Sequence, residues 1–459
     1  MYLNTYLKNQ MQIIKIRKGL DIPLDGKPQK TLELNKKTVS VAIKPYDFLG
    51  LQPKLLVKTG DKVLAGSPLL YNKLNEKIII TSPISGEVIE IVRGEKRVIN
   101  EIRIKGDENN SYLQFKESKN LLTKSDKIIS LLLKSGVWAL IRQRPYDIIP
   151  NLDVIPRDIY ISTFDTSPLA PDYNYILKDN IKEIQVATDA LAILTSGNVH
   201  FGINAKEYEH SIFESIKNVE KHYLTGPHPS GNVGVQIHHT KPINKGDIVW
   251  YIHVQDLVII GKLLSVGIYD AKRVIAITGS EVNNPSYIQT YIGTNISELV
   301  KVKNTETPLR YISGNVLTGT KIEAQGFLGF YHHQITVIPE GEYYEFLGWA
   351  APGMKKYSFS KLFVSKLIKP KKFKIDTNYH GSERAYVLSG QYEKVFPFDI
   401  YPVYLIKAIL TEDIDKMEQL GIYEVTPEDF ALCDFVCTSK SETQEIVRKG
   451  LELLRKEMS

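Results

Sequence analysis

Two cysteines in 459 residues are too few for a disulfide framework. Long apolar runs are also missing. Leu131-Leu132-Leu133 is interrupted by Lys134, and residues 190–194 by Thr195, well short of the roughly 20 residues a bilayer helix needs. The chain is therefore expected not to cross a membrane. Residues 1–10 lack the apolar core and small-residue cleavage site of a secretory signal, so the chain is expected to stay in the cytosol. Neither sign of charge dominates. The net charge of +6 is spread out, and the densest run, residues 366–374, surrounds Pro370 with no recognition helix or aromatic platform beside it, so nucleic acid is not an expected partner. No Gly-x-Gly-x-x-Gly follows a strand, so the usual pyrophosphate grip is missing.

What is present reads as an α/β multidomain chain, since this length exceeds one core. After an N-terminal extension (1–34), residues 35–110 are short β-branched strands between glycine turns. There Lys58-Thr59-Gly60-Asp61 and Ser82-Pro83-Ile84-Ser85-Gly86 resemble the two halves of a biotinyl or lipoyl barrel-sandwich hybrid domain. The carrier lysine of such domains falls on Asn75, with Lys73 and Lys77 out of register, so a swinging-arm carrier is disfavoured. Residues 111–257 alternate helical segments and apolar strands, a Rossmann-like pattern. Asp165-Thr166-Ser167-Pro168 looks like a helix-start turn, and the glycine-rich loop 226–234 reads equally as an anion cradle or a rigid turn. Residues 258–345 form a β-grasp, SLBB-like unit, with strands expected on to Phe363. Residues 346–459 are mixed, then helical. A capping box at Ser441-x-x-Gln444 precedes an apolar face of Ile446, Val447, Leu451 and Leu454.

Several blocks run in order along nearly the whole chain: Ile14-Lys15-Ile16-Arg17-Lys18-Gly19-Leu20, Ser135-Gly136-Val137-Trp138, Arg142-Gln143-Arg144-Pro145, Asp165-Thr166-Ser167-Pro168, Gly348-Trp349 and His380-Gly381-Ser382-Glu383-Arg384. In these the chain resembles the A subunit of the sodium-translocating NADH:quinone reductases, with Met11 as the equivalent start. The resemblance implies a peripheral protein on the cytoplasmic face of the bacterial inner membrane. Its complex passes electrons from NADH to ubiquinone while exporting sodium. Flavins and Fe–S centres then belong to partner subunits, this chain binds no cofactor of its own, and the membrane-embedded B subunit is the expected partner. The isolated chain is not expected to be catalytic.

The same family is related to the C subunit of the Rnf-type electron-transport complex, which carries two runs of Cys-x2-Cys-x2-Cys-x3-Cys-Pro. Laid on this chain, the second run falls on Pro427, Phe430, Cys433 and Cys437, and the first on Tyr386, Ser389, Tyr392 and Phe396. Two thiolates cannot ligate a [4Fe–4S] cluster. The C-terminal region is therefore expected to keep the ferredoxin-like shape without metal, with Cys433 and Cys437 as remnant positions. A zinc site completed by His380 or by His238 and His239 is the less favoured reading.

A quinone head needs a flat apolar or aromatic slot and one or two donors to its carbonyls. Trp138, Arg142, Arg144 and Tyr146 offer both, as do Tyr46 and Phe48 in the loop after Lys44. Against this, the arginines could complement a helix C-terminus and the aromatics could pack one domain on another. His228, His238, His239 and His253 read as structural. The competing function is a flavin- and NADH-binding dehydrogenase resembling the complex I flavoprotein or the Rnf C subunit.

Overall fold

The computed structural model describes residues 12–34, 40–115, 124–303, 306–348, 351–368 and 372–458. Met11, Trp349 and Pro370, named above, lie outside the described residues. Strands Ser40–Ile43, Ile99–Gly106, Gly86–Arg93 and Lys62–Val63 form one small antiparallel sheet, and Pro53–Leu55, Pro68–Asn72 and Asn75–Thr81 a second. Residues two apart bury together, as in Val41 with Ile43, Ile78 with Ile80 and Ile102 with Ile104, because successive strand side chains alternate faces. This is the barrel-sandwich unit. The tip of its hairpin is formed by Lys73 and Leu74, both exposed, while Asn75 already belongs to the strand.

The α/β unit is a six-stranded sheet in the order Ile13–Lys15, Glu220–Thr225, Val199–Asn204, Asp158–Ser162, Val249–Tyr251, Arg142–Arg144. All neighbours run parallel except the last pair. Helix Asp256–Val266 packs so closely on Ile181–Ala192 that a Cβ on Gly261 would sit 2.0 Å from the Glu183 carbonyl oxygen. The sequence boundary at 257/258 cuts this helix, because Val258-Ile259-Ile260 mimics the start of a strand. A second six-stranded sheet follows, in the order Thr320–Ile322, Leu309–Ser313, Gln334–Pro339, Lys272–Thr278, Ser286–Tyr291, Leu32–Leu34. Residues 13–15 and 32–34, expected as part of an extension, are thus edge strands of two different sheets.

Strands expected as far as Phe363 stop at Pro339; the described residues from there to 391 hold only the short helix Ser365–Ile368. Tyr343, Tyr344 and Phe346 suit a strand by composition, but they are exposed and pair with nothing in a sheet. Helices Pro402–Leu410, Ile414–Gln419, Ala431–Val436 and Thr443–Met458 build the C-terminal unit. Val447, Leu451 and Leu454 are buried as expected, and Ile446 packs at the edge. The cap differs from expectation. The Asp434 carboxylate, not Ser441, accepts the Thr443 N–H at 2.5 Å and the Gln444 side chain at 2.8 Å, a charged acceptor being favoured at a helix N-terminus.

Candidate functional site

Arg142 and Arg144 lie on a strand, not at a helix end, because helix Ser125–Lys134 finishes at Gly136 and a short turn leads into Arg142–Arg144. With one residue between them, the two guanidiniums share a face. That of Arg144 is fully buried. It donates to Asp429 Oδ2 at 2.8 Å, Glu428 Oε1 at 2.7 Å, Thr426 Oγ1 at 3.0 Å and the Glu424 carbonyl at 3.0 Å. Arg144 therefore ties the α/β sheet to the C-terminal unit. The Arg142 guanidinium is one-fifth exposed, pairs with Asp147, and lies 4.7 Å from the Tyr331 ring and 5.6 Å from that of Tyr251.

The second candidate segment arrives at the same place. Phe48 is buried, its ring 4.7 Å from Phe330 and 5.9 Å from Tyr331, and Tyr331 Oη donates to the Ala139 carbonyl at 2.7 Å. Tyr331 is thus the point where residues 44–51 and 138–148 meet. Residues of the same two segments also line a shallow cleft, formed by Leu49, Gly50, Tyr146, Ile148, Arg448 and Arg455 among others. Gly50 is required there: its φ is +76°, and a Cβ would collide with the Arg455 guanidinium. Of the expected residues, Tyr146 lines the cleft. Tyr46 is exposed on the loop leading to it, with Lys44 Nζ 6.0 Å from its ring. Trp138 is not at the surface. Its Nε1 donates to the Pro150 carbonyl and its ring meets Trp250 edge-on at 5.2 Å, so with Phe48 and Arg144 it serves the core. Tyr331, Arg448 and Arg455 were invisible to sequence reasoning, since nothing local marks residues nearly 200 or more positions away as neighbours.

Asp47, beside Phe48, is pushed up to about 6 by burial, which the Phe330 N–H and the charges of Lys44 and Arg142 only partly offset. A carboxyl whose folded pKa exceeds its unfolded value of about 3.9 binds its proton more tightly in the native state. Its ionisation therefore opposes folding above pH 6, and that penalty disappears as pH falls from 6 towards 4. Asp47→Asn, which keeps an acceptor for Phe330, is expected to raise the melting temperature at pH 7.5. The gain is about 3 kcal/mol, and melts at pH 7.5 and pH 4 should show the difference vanishing at the lower pH.

The positions that the cysteine frame picks out assemble in a crossed pattern. Tyr386 and Tyr392, from the first run, stand 6.1 Å apart, and Tyr392 Oη donates to Cys437 Sγ at 2.9 Å. Phe396, the fourth position of the first run, packs at 4.8 Å on Phe430 of the second. In two-cluster ferredoxins the fourth cysteine of each run likewise serves the other cluster. Both cysteines are buried, and burial holds the Cys433 thiol well above its usual range. Among the described residues, no cluster of three potential metal-ligating side chains includes a cysteine. His238 instead bonds Glu424 at 2.7 Å, and His239 the Pro397 carbonyl at 2.9 Å.

Loop 226–234 is a stitched turn. Thr166 Oγ1 accepts the Gly231 N–H at 2.9 Å and bonds His228 Nδ1 at 3.2 Å, while Asp21 accepts the His228 N–H at 2.8 Å. Residues 165–167 form a side-chain turn, Asp165 accepting the Ser167 N–H; the next helix starts later, capped by Asp172. Ser162, at the carboxyl end of its strand, where ligands bind in such folds, donates to the Gly231 carbonyl at 2.8 Å and so ties the loop to the sheet.

Three family models match in order: NqrA N-terminal barrel-sandwich hybrid domain over 14–107, NqrA second alpha/beta domain over 123–269, and NQRA C-terminal domain over 274–324. The A subunit of the Na(+)-translocating NADH-quinone reductase of Rhodopirellula baltica is 37% identical over 97% of this chain and 98% of its own. Those of Vibrio atlanticus and Neisseria meningitidis are 35% and 36% identical over 97% of this chain and 100% of theirs.

Proposed function

The chain belongs to the family of A subunits of the Na(+)-translocating NADH-quinone reductases, and from that premise we propose a role at the cytoplasmic face of the bacterial inner membrane. It docks on membrane partners, the B subunit above all, and supplies one wall of the site that reduces ubiquinone, with flavins and Fe–S centres left to other subunits. The observation that carries this reading is the meeting of residues 44–51 and 138–148 in one cleft with Arg448 and Arg455. Aromatic and aliphatic surface from Tyr146, Leu49 and Ile148 suits a quinone ring, and the permanent charge of an arginine favours a developing quinol anion. With a volume of about 20 Å³, the cleft is too small to enclose that ring alone, so a partner completes the site.

Docking is supported by Tyr344, Phe346, Leu362, Leu367 and Ile368, all exposed beside the basic residues Lys366 and Lys372. None of the described helices is long and apolar enough to cross a membrane, so attachment runs through such surfaces. Phe396, Phe430, Tyr386 and Tyr392 take ligand positions of the cluster frame, and no Gly-x-Gly-x-x-Gly follows a strand. Both features weigh against the dehydrogenase reading, which a flavin band in the spectrum of the purified chain would revive. In the assembled complex, Tyr146→Ala and Arg455→Gln are each expected to raise the KM for ubiquinone about 10-fold, or about 1.4 kcal/mol. NADH oxidation by an artificial acceptor should be unaffected. An unchanged KM in both would remove the cleft from the quinone site.

A further inference from the structure

A second group of side chains lies outside the proposed quinone site, on the parallel strands Val199–Asn204 and Glu220–Thr225. His200 pairs in register with Glu220, and His222 follows two residues later, so all three project from one face. His200 Nδ1 is 2.8 Å from His222 Nε2 and 3.5 Å from Glu220 Oε2; His222 Nε2 is 3.7 Å from Glu220 Oε1. Donors 2.0–2.2 Å from a tetrahedral ion stand about 3.4 Å apart, which these separations bracket. We propose that His200, Glu220 and His222 bind a divalent transition-metal ion of the zinc class, with one coordination position open to water or an outside ligand.

The surroundings supply what such a site needs beyond its ligands. A ligating imidazole usually presents its other nitrogen to a carboxylate, which sets tautomer and ring orientation. His200 Nε2 lies 3.3 Å from Asp158 Oδ1 without yet making an aligned hydrogen bond. Asp158 is itself held by Arg157 at 2.9 Å, Lys241 at 2.8 Å and the Asn198 N–H at 3.2 Å. A proton on Nε2 leaves the Nδ1 lone pair facing His222. The His200 ring is also clamped against Tyr160 at 4.3 Å. Glu220 is half exposed and held by Asn198 Nδ2 at 3.1 Å, so an ion can enter from solvent.

The other group of this kind among the described residues, His253, Asp256 and His333, has most of its ligand atoms committed, with His333 Nε2 left over. Asp256 is paired with Arg273 at 2.6 Å, His253 with Tyr173 Oη at 2.8 Å, and His333 Nδ1 with Gln255 at 2.9 Å.

The test uses the full chain without an affinity tag, stripped with a chelator and titrated with Co2+ as the optical probe, then Zn2+. One equivalent of Co2+ should bind with the visible bands of a four-coordinate nitrogen and oxygen site, and Zn2+ should displace it. Glu220→Gln, on the exposed side, and His222→Ala should each weaken Zn2+ binding at least about 10-fold while the circular dichroism melt stays unchanged. Absence of stoichiometric binding by the native chain, or affinity unchanged in both variants, would overturn the assignment.

Discussion

Asp429→Ala is expected to destabilise the C-terminal unit by about 3–5 kcal/mol, the range for breaking a buried ion pair from one side. The reason is what remains behind. Arg144 and Asp429 are both fully buried at 2.8 Å, so the variant leaves a guanidinium without its enclosed counter-charge. Glu428, more than a third exposed, is screened by water and replaces little of it. Asp429 also accepts the Thr426 N–H at 2.8 Å and completes a capping box with that residue, so a helix cap is lost too. The apolar double variant Arg144→Leu with Asp429→Leu should recover part of the loss, since it removes both charges together. Urea unfolding followed by limited proteolysis of the C-terminal helices measures both. A single variant that melts with the native chain would show that the pair holds nothing together.

Phe430→Ala is expected to cost about 3–5 kcal/mol, the usual range for deleting a buried aromatic ring. Phe430 is fully buried against Phe396, at a ligand position of the Cys-x2-Cys-x2-Cys-x3-Cys frame. Cys433→Ser should cost less, about 1–3 kcal/mol, for burying a hydroxyl in place of a thiol. That order discriminates between two accounts of the C-terminal unit. A metal held by Cys433 would make the serine variant the more damaging and lower the metal content relative to the native chain. A ring-filled core makes the alanine variant the more damaging and leaves the metal content of the serine variant equal to that of the native chain. Thermal melts of the two variants and metal analysis of the serine variant against the native chain decide it.

The barrel-sandwich strands were legible because their buried residues alternate. The amphipathic final helix was legible because three buried positions, Val447, Leu451 and Leu454, recur at helical spacing. Its cap was not: Asp434 reaches Thr443 across a turn, and a sequence shows Ser441 at the expected spacing but not which acceptor arrives. Arg142 and Arg144 stood out together in the sequence, yet the structure separates them. Arg144 is locked to a segment about 285 residues away, and Arg142 keeps an accessible face beside Tyr331.

By itself, the sequence determined the order of the units, the family, the lack of long apolar runs and the presence of only two cysteines, all of which are local or compositional properties. Only the tertiary structure decided that Trp138, Phe48 and Arg144 belong to the core, that Tyr146 shares a cleft with Arg448 and Arg455, and that His200, Glu220 and His222 face one another. Such juxtapositions arise when strands and helices distant along the chain pack to bury their apolar faces. That packing places polar side chains beside partners no local pattern encodes.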